Sequence, residues 1–272
     1  YSEITDLRND DNLVLPKPKI KGGEPKLVLI KQSEYQKEWT QRLIEFAKQT
    51  HGDRDGSLIG KGELTESEQT AAMLMVTGIS NKLSIDMRLI DKSAEDNPTG
   101  KLSAVAQKVY EDYVETEAIK GTQLIFCDTG TPKTKNTVEN LKGYMEDELN
   151  IQLDDINSVF GEEGAPLPPI ATVKERLATA LEWEPEYIES VINESKNAEG
   201  QFNVYDELKR KLVEKGVPEN QVVFIHSYNT AKAKEALFDA VNNGDIRVVI
   251  GSTQKLGTGV NCQRRIVSLH HI

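Results

Sequence analysis

Cysteine is nearly absent. Cys127 and Cys262 are the only two in 272 residues, too few for a disulfide framework, and a reducing cytoplasmic compartment is the expectation. Aromatic residues make up only 6% of the chain, and no base-stacking platform for single strands stands out. No apolar run approaches the roughly 18 residues that cross a bilayer, and the first residues carry no secretory signal, so no membrane partner is expected. The 4 histidines, His270 and His271 adjacent among them, have no metal-ligand spacing; no metal site is expected, and the pair reads as part of a strand. Positive charge is also short. There are 33 Lys and Arg against 44 Asp and Glu, a net charge of −11. Such a chain is not coated in positive charge, so any nucleic-acid contact must be local, through a few cations and backbone N–H groups. No acid–base pair and no nucleophile with a partner stands out, which disfavours a self-contained small-molecule enzyme.

The most informative stretch is Ile246 to Ile272, IRVVIGSTQKLGTGVNCQRRIVSLHHI. IRVVI has the β-branched character of a strand covered on both faces. RIVSLHHI is extended and apolar again. Between them, GSTQKLGTGVN combines three glycines with Ser252, Thr253 and Asn261. Gly257 and Gly259 allow unusual backbone conformations and close approach of N–H groups to an anion. A polar loop leaving the carboxyl end of a parallel strand is where open α/β sheets bind ligands.

The chain begins with Tyr1 rather than Met, as a fragment or processed chain would. Residues 1–24 are poorly patterned and lead into the Pro- and Gly-rich LPKPKIKGGEPK, which reads as an extended strap; LVLI (27–30) is a short strand candidate. Ser33 caps a predicted helix to about Thr50, with Trp39, Leu43, Phe46 and Ala47 on one face. Further helices are predicted over Thr65–Met75, from a cap at Ser80 with Ile79, Leu83, Met87 and Ile90 inward, and over Lys101 to about Glu117. From Gly121 the pattern changes. TQLIFC is a buried strand, FNVYDELKRKLVEKG a helix stopped by Gly216, QVVFI a strand, and Thr230–Asn243 a helix, before IRVVI and RIVSLHHI. This β-α-β-α-β-β order implies a mostly parallel sheet with flanking helices.

Several motifs carry a resemblance. Ser252-Thr253, Gly257 and Gly259-Val260-Asn261 resemble motif V of superfamily-two helicases and Snf-type translocases, which sits in the second RecA-like lobe. QLIFCDTGTPK resembles motif IV, and Gly100-Lys101-Leu102 resembles the helix start that precedes that lobe. The GSTQKLGTGVN string is most similar to the helicase part of phage- and plasmid-borne proteins that join a DNA methylase-like region to a helicase. The likeness covers about Leu83 to Pro132 and Phe202 to Ile272.

That resemblance implies a fold: a RecA-like α/β lobe over 100–272, preceded by an extended and helical segment over 1–99 and interrupted by an insertion at 133–201. The insertion reads as the loop GEEGAPLPP and two short helical segments, TVKERLATALEW and PEYIESVINES. As a helix-turn-helix DNA reader it would be unsuitable, because Glu182, Glu184, Glu186 and Glu189 would repel phosphates. The resemblance also implies roles. Thr253, Thr129, Thr131, Ser227 and Thr230 would face a DNA backbone, with Asp128 and Asn229 in the same turns; for the hydroxyl residues helix capping is the plainer alternative. Gly257, Gly259 and Asn261 would face a nucleotide cleft. ATP and Mg would be cofactors of an intact parent protein, with DNA and a first RecA-like lobe as partners. The phosphate cradle Gly-x-x-x-x-Gly-Lys-Ser/Thr is missing: GSLIGKG (56–62) has the wrong spacing, and Gly follows its Lys. The family's arginine motif would lie beyond Ile272, since Arg264 and Arg265 come too early for it. The expectation is a motor lobe that does not hydrolyse ATP by itself. The alternative is a non-catalytic α/β interaction module.

Overall fold

Buried apolar runs set the architecture. The computed structural model describes residues 20–54, 56–59, 63, 64, 66–131, 136–147, 149, 151–162, 165–195, 202–228, 230–257 and 260–272. The chain divides into a short unit, Tyr1–Ile30, and a body, Lys31–Ile272. In the first unit, residues 20–23 form a turn closed by the Gly23 N–H on the Ile20 carbonyl, and 24–30 carry no regular element. LVLI therefore forms no strand.

The body opens with helix α1, Glu34–Lys48, whose start is a capping box: Ser33 accepts the Gln36 N–H and Gln36 accepts the Ser33 N–H. Leu43 and Phe46 are its buried residues. The two following helices depart from expectation. α2 is Glu66–Thr70 and α3 is Ala72–Ile85, so Ser80 lies inside α3 instead of capping a new helix. Met87 falls in a short 3-10 turn beyond Asp86, which caps it through the Arg88 N–H. The apolar sequence around Ser80 keeps the helix going, because burial outweighs a weak local breaker. α4, Lys101–Glu115, begins directly after Gly100 as expected and buries Leu102, Ala106 and Val109.

The strands are β1 (Thr122–Phe126), β2 (Val222–Phe224), β3 (Val248–Gly251) and β4 (Ile266–His271). They form a four-stranded sheet in the order β2-β3-β1-β4, with every pairing parallel. The fold is thus α/β with a parallel sheet and flanking helices. Between β1 and β2 lie α5 (Thr137–Asp147), α6 (Leu153–Phe160), α7 (Ile170–Ala180), α8 (Pro185–Ser195) and α9 (Val204–Lys215). α10 (Ala231–Asn243) joins β2 to β3, and the short α11 (Thr253–Gly257) follows β3.

Alternation along the strands assigns the faces. Ile125, Val248 and Ile250 point to α4 and α9, joining Leu102, Val109, Tyr205 and Leu208 in one core. Leu124, Phe126 and Val249 point the other way, against Leu237 and Val241 of α10 and Leu256 of α11. α5–α8 bury a separate core, including Leu141, Met145, Ile156, Phe160, Leu177 and Ile192. The stretch between β1 and α9 therefore holds four helices where two were legible. An ionic cluster fixes the segment ahead of α4 to α9: Arg88 meets Asp86 at 2.8 Å, Asp96 at 2.9 Å and Glu207 at 3.1 Å. Burial alone would push the Glu207 carboxyl up, but the guanidinium groups of Arg210 and Arg88 outweigh it and hold it down at about 2.

Candidate functional site at the carboxyl edge of the sheet

Strand order creates one crevice. β1 and β3 are neighbours, yet the chain leaves β1 for β2 on one side and leaves β3 for β4 on the other. Their carboxyl ends therefore flank a topological switch point, the usual ligand position in an open parallel sheet. The polar turns after β1, β2 and β3 all open on this edge.

The turn after β1 is held from below. The Cys127 N–H donates to the Gly251 carbonyl at 2.9 Å, and the Tyr205 hydroxyl donates to the Cys127 carbonyl at 2.6 Å. The Cys127 thiol donates to the Thr129 carbonyl at 3.1 Å. Gly130 has φ of +69°, and a Cβ there would lie 2.7 Å from Val204, so glycine is required where the turn passes over α9. This packing buries Thr129 and Thr131. Neither side chain is presented to solvent as a backbone contact would need.

The turn after β3 is tied to the turn after β1 through one carboxylate. Asp128 accepts the Thr253 N–H at 2.5 Å on one oxygen and the Thr253 hydroxyl at 2.8 Å on the other. Both oxygens are engaged, and the partners are 125 residues apart in sequence. Thr253 therefore stands at the crevice, but its hydrogen is committed to Asp128. Ser252, just before it, is fully buried, and its hydroxyl has no hydrogen-bond partner among the described residues. Lys101, at the start of α4, is half-buried; burial lowers its pKa, against an opposing electrostatic influence of Cys127.

The glycine that the packing demands here is Gly251. A Cβ on it would lie 2.4 Å from Ile225 and 2.7 Å from Leu256. At Gly257 a Cβ would meet only the Thr253 methyl, at 3.7 Å, an ordinary contact; Gly257 is not forced by the backbone in the way the sequence pattern implied. Gly259 and Asn229 lie outside the described residues. After β2, Ser227 is exposed, and Thr230 caps α10, its hydroxyl oxygen accepting the Ala233 N–H at 3.2 Å.

Asn261 is placed elsewhere. Its carbonyl accepts from the Asn242 side-chain amide at 2.7 Å, which anchors it to the end of α10. Asn242 Oδ1 also accepts the Arg264 N–H, on the approach to β4. Because β3 and β4 are parallel, their connection must return to the amino edge, and Asn261 lies on that return. The structure gathers Thr253, Asp128 and the turns after β1 and β2, and it does not bring Asn261 to them. Among the described residues no group of three or more His, Cys, Asp or Glu could hold a metal ion, and no helix is long and apolar enough to cross a membrane. No family model, curated protein or solved structure matches this chain.

Proposed function

We propose that this chain is the second RecA-like motor lobe of a superfamily-two, Snf-type DNA translocase, akin to the helicase part of methylase-helicase proteins of phages and plasmids. It contributes DNA-backbone contacts and works with a first lobe that supplies the phosphate cradle for ATP and Mg. The observation that carries this reading is the convergence of the polar turns after β1, β2 and β3 on one edge, at the switch point between β1 and β3. Exposed hydroxyls at such an edge suit phosphate oxygens, and contacts of this kind carry no base sequence. Exposure favours Thr253, Ser227 and Thr230 as the contacts; Thr253 contacts a phosphate only by turning its hydroxyl away from Asp128. Thr129 and Thr131 support the turn from beneath, Gly257 ends the short helix that Thr253 begins, and Asn261 sits on the return path to β4, away from these turns.

A second reading is favoured by the separate core of α5–α8. A four-helix appendage that folds around its own apolar centre is a ready contact surface for another protein, and in that case the lobe serves as a non-catalytic scaffold.

Fluorescence anisotropy with a short labelled duplex separates them. The motor-lobe reading expects salt-sensitive, sequence-independent binding by the chain, weakened severalfold by Thr253→Val, with no ATP turnover by the chain alone. Failure to bind any duplex at low salt would remove it and leave the interaction module.

A further inference from the structure

The far end of the sheet holds a groove of about 530 Å³, lined by Ile119, Asn242, Asn243, Arg264, Arg265 and the start of β4. No carboxylate is among the described residues that line it.

Its two arginines are positioned without losing their charge. Arg265 donates Nε to the Asn242 carbonyl at 3.0 Å and Nη1 to the Ile119 carbonyl. These carbonyls, one of them at the negative end of α10, orient the guanidinium but do not neutralise it as a carboxylate would. Arg264 is exposed. Its backbone N–H is fixed by Asn242 at 3.1 Å, while its guanidinium has no partner among the described residues. Every other described arginine has one. Arg88 and Arg210 share Glu207, Arg247 holds Glu117, Arg42 lies over Trp39, and Arg54 and Arg176 donate to backbone carbonyls. What sets Arg264 apart among the described arginines is that its guanidinium meets neither a carboxylate, a carbonyl nor a ring, in a chain with 44 acidic side chains against 33 basic ones. Lys120, next in sequence to Ile119 but outside the groove lining, adds a nearby cation. It is exposed, and a Cβ on Gly244, at the end of α10, would touch its stem at 2.6 Å. The nearest acids by chain position are Glu117, already engaged by Arg247, and Asp245, which is outside the groove lining.

We infer that this amino-edge groove is a second anion site, and that its ligand is the phosphodiester backbone of duplex DNA. A guanidinium fork matches two phosphate oxygens, and it is less strongly hydrated than an ammonium group. Arg264 supplies the fork, Arg265 a fixed second charge, and Lys120 and the Asn243 amide the flank. The site is distinct from the Thr253 edge, and the inference rests on reading the chain as a DNA-backbone binder.

The test is duplex binding by anisotropy across a salt series, using the whole chain. The variants are Arg264→Gln, Arg264→Lys, Lys120→Gln and Thr253→Val, each checked for an unchanged melting curve. Arg264→Gln should weaken binding about tenfold at low salt and flatten the plot of log affinity against log salt by about one unit. Arg264→Lys should recover most of the slope but less of the affinity, since it keeps the charge and loses the fork. Lys120→Gln should have a smaller effect of the same kind. Binding that is weakened by Thr253→Val but indifferent to both Arg264→Gln and Lys120→Gln would overturn this inference and leave the motor-lobe reading standing. No duplex binding by any form would overturn both.

Discussion

The two ends of the sheet are built on opposite principles. At the carboxyl edge, polar groups face one another: Asp128 occupies the Thr253 N–H and hydroxyl, Thr230 caps its own helix, and Thr129 and Thr131 are buried. At the amino edge, Arg264 and Arg265 are held by backbone and amide groups, and their charge remains open to the solvent. A hydroxyl-rich motif therefore need not be the stronger anion site. What a group already holds decides what it can offer.

The largest effects should come from the buried groups on which this contrast rests. Arg247 is fully buried beside the amino edge. It donates to the Gly121 carbonyl at 2.5 Å, to Glu117 at 2.7 Å and to the Tyr113 carbonyl at 3.1 Å. Arg247→Met keeps the stem and strands those acceptors, so urea unfolding should show a loss of about 3 kcal/mol. A loss below about 1 kcal/mol would mean that water replaces the guanidinium without strain.

Glu207 gives the next effect and a pH signature. Its folded pKa of about 2 lies below the ordinary 4.5. The stabilisation is thus fully present above about pH 4.5 and is lost as pH falls towards 2. That difference is worth on the order of 3 kcal/mol. Glu207→Gln should lower stability at neutral pH and flatten the acid limb of the stability curve between those values. An unchanged limb would remove the carboxylate from the cluster that fixes α9.

Gly251→Ala tests the carboxyl edge by steric means. The new methyl meets Ile225 and Leu256 inside contact distance, and a cost of about 1–3 kcal/mol follows. Gly257→Ala should cost less than about 1 kcal/mol. Equal costs would show that the turn after β3 repacks freely.

The smallest effect has the most telling sign. Asp128→Asn removes a negative charge beside Thr253. On the motor-lobe reading it should tighten duplex binding by about two- to fivefold at low salt. A purely structural Asp128 predicts the opposite, a loss on release of the Thr253 turn.

Much of the fold was legible. α1 announced itself with Ser33, α10 with Thr230 and Gly244, α9 with Gly216, and the strands with their β-branched runs, because local capping and periodicity are written in neighbouring residues. The stretch over α5–α8 was half legible. α7 and α8 carry clear apolar periodicity, whereas α5 holds Gly143 in its interior and α6 is short, so their helicity depends on the shared core. LVLI looked like a strand and is not one, since a strand needs a neighbour as well as a propensity.

The sequence by itself determined the parallel α/β class, the order of the four strands with α9 and α10 between them, and the polar character of the turns after β1, β2 and β3. Those follow from spacing and composition over a few residues. Only the tertiary structure decided which polar groups are occupied and which remain open. Asp128 and Thr253 are far apart along the chain, and their pairing exists because β1 and β3 lie side by side. Asn261 is close to Thr253 in sequence and distant in role, because a parallel connection must carry it back to the other end of the sheet. Arg264 is one arginine among several in the sequence; only the fold shows that, among the described residues, its guanidinium has no partner.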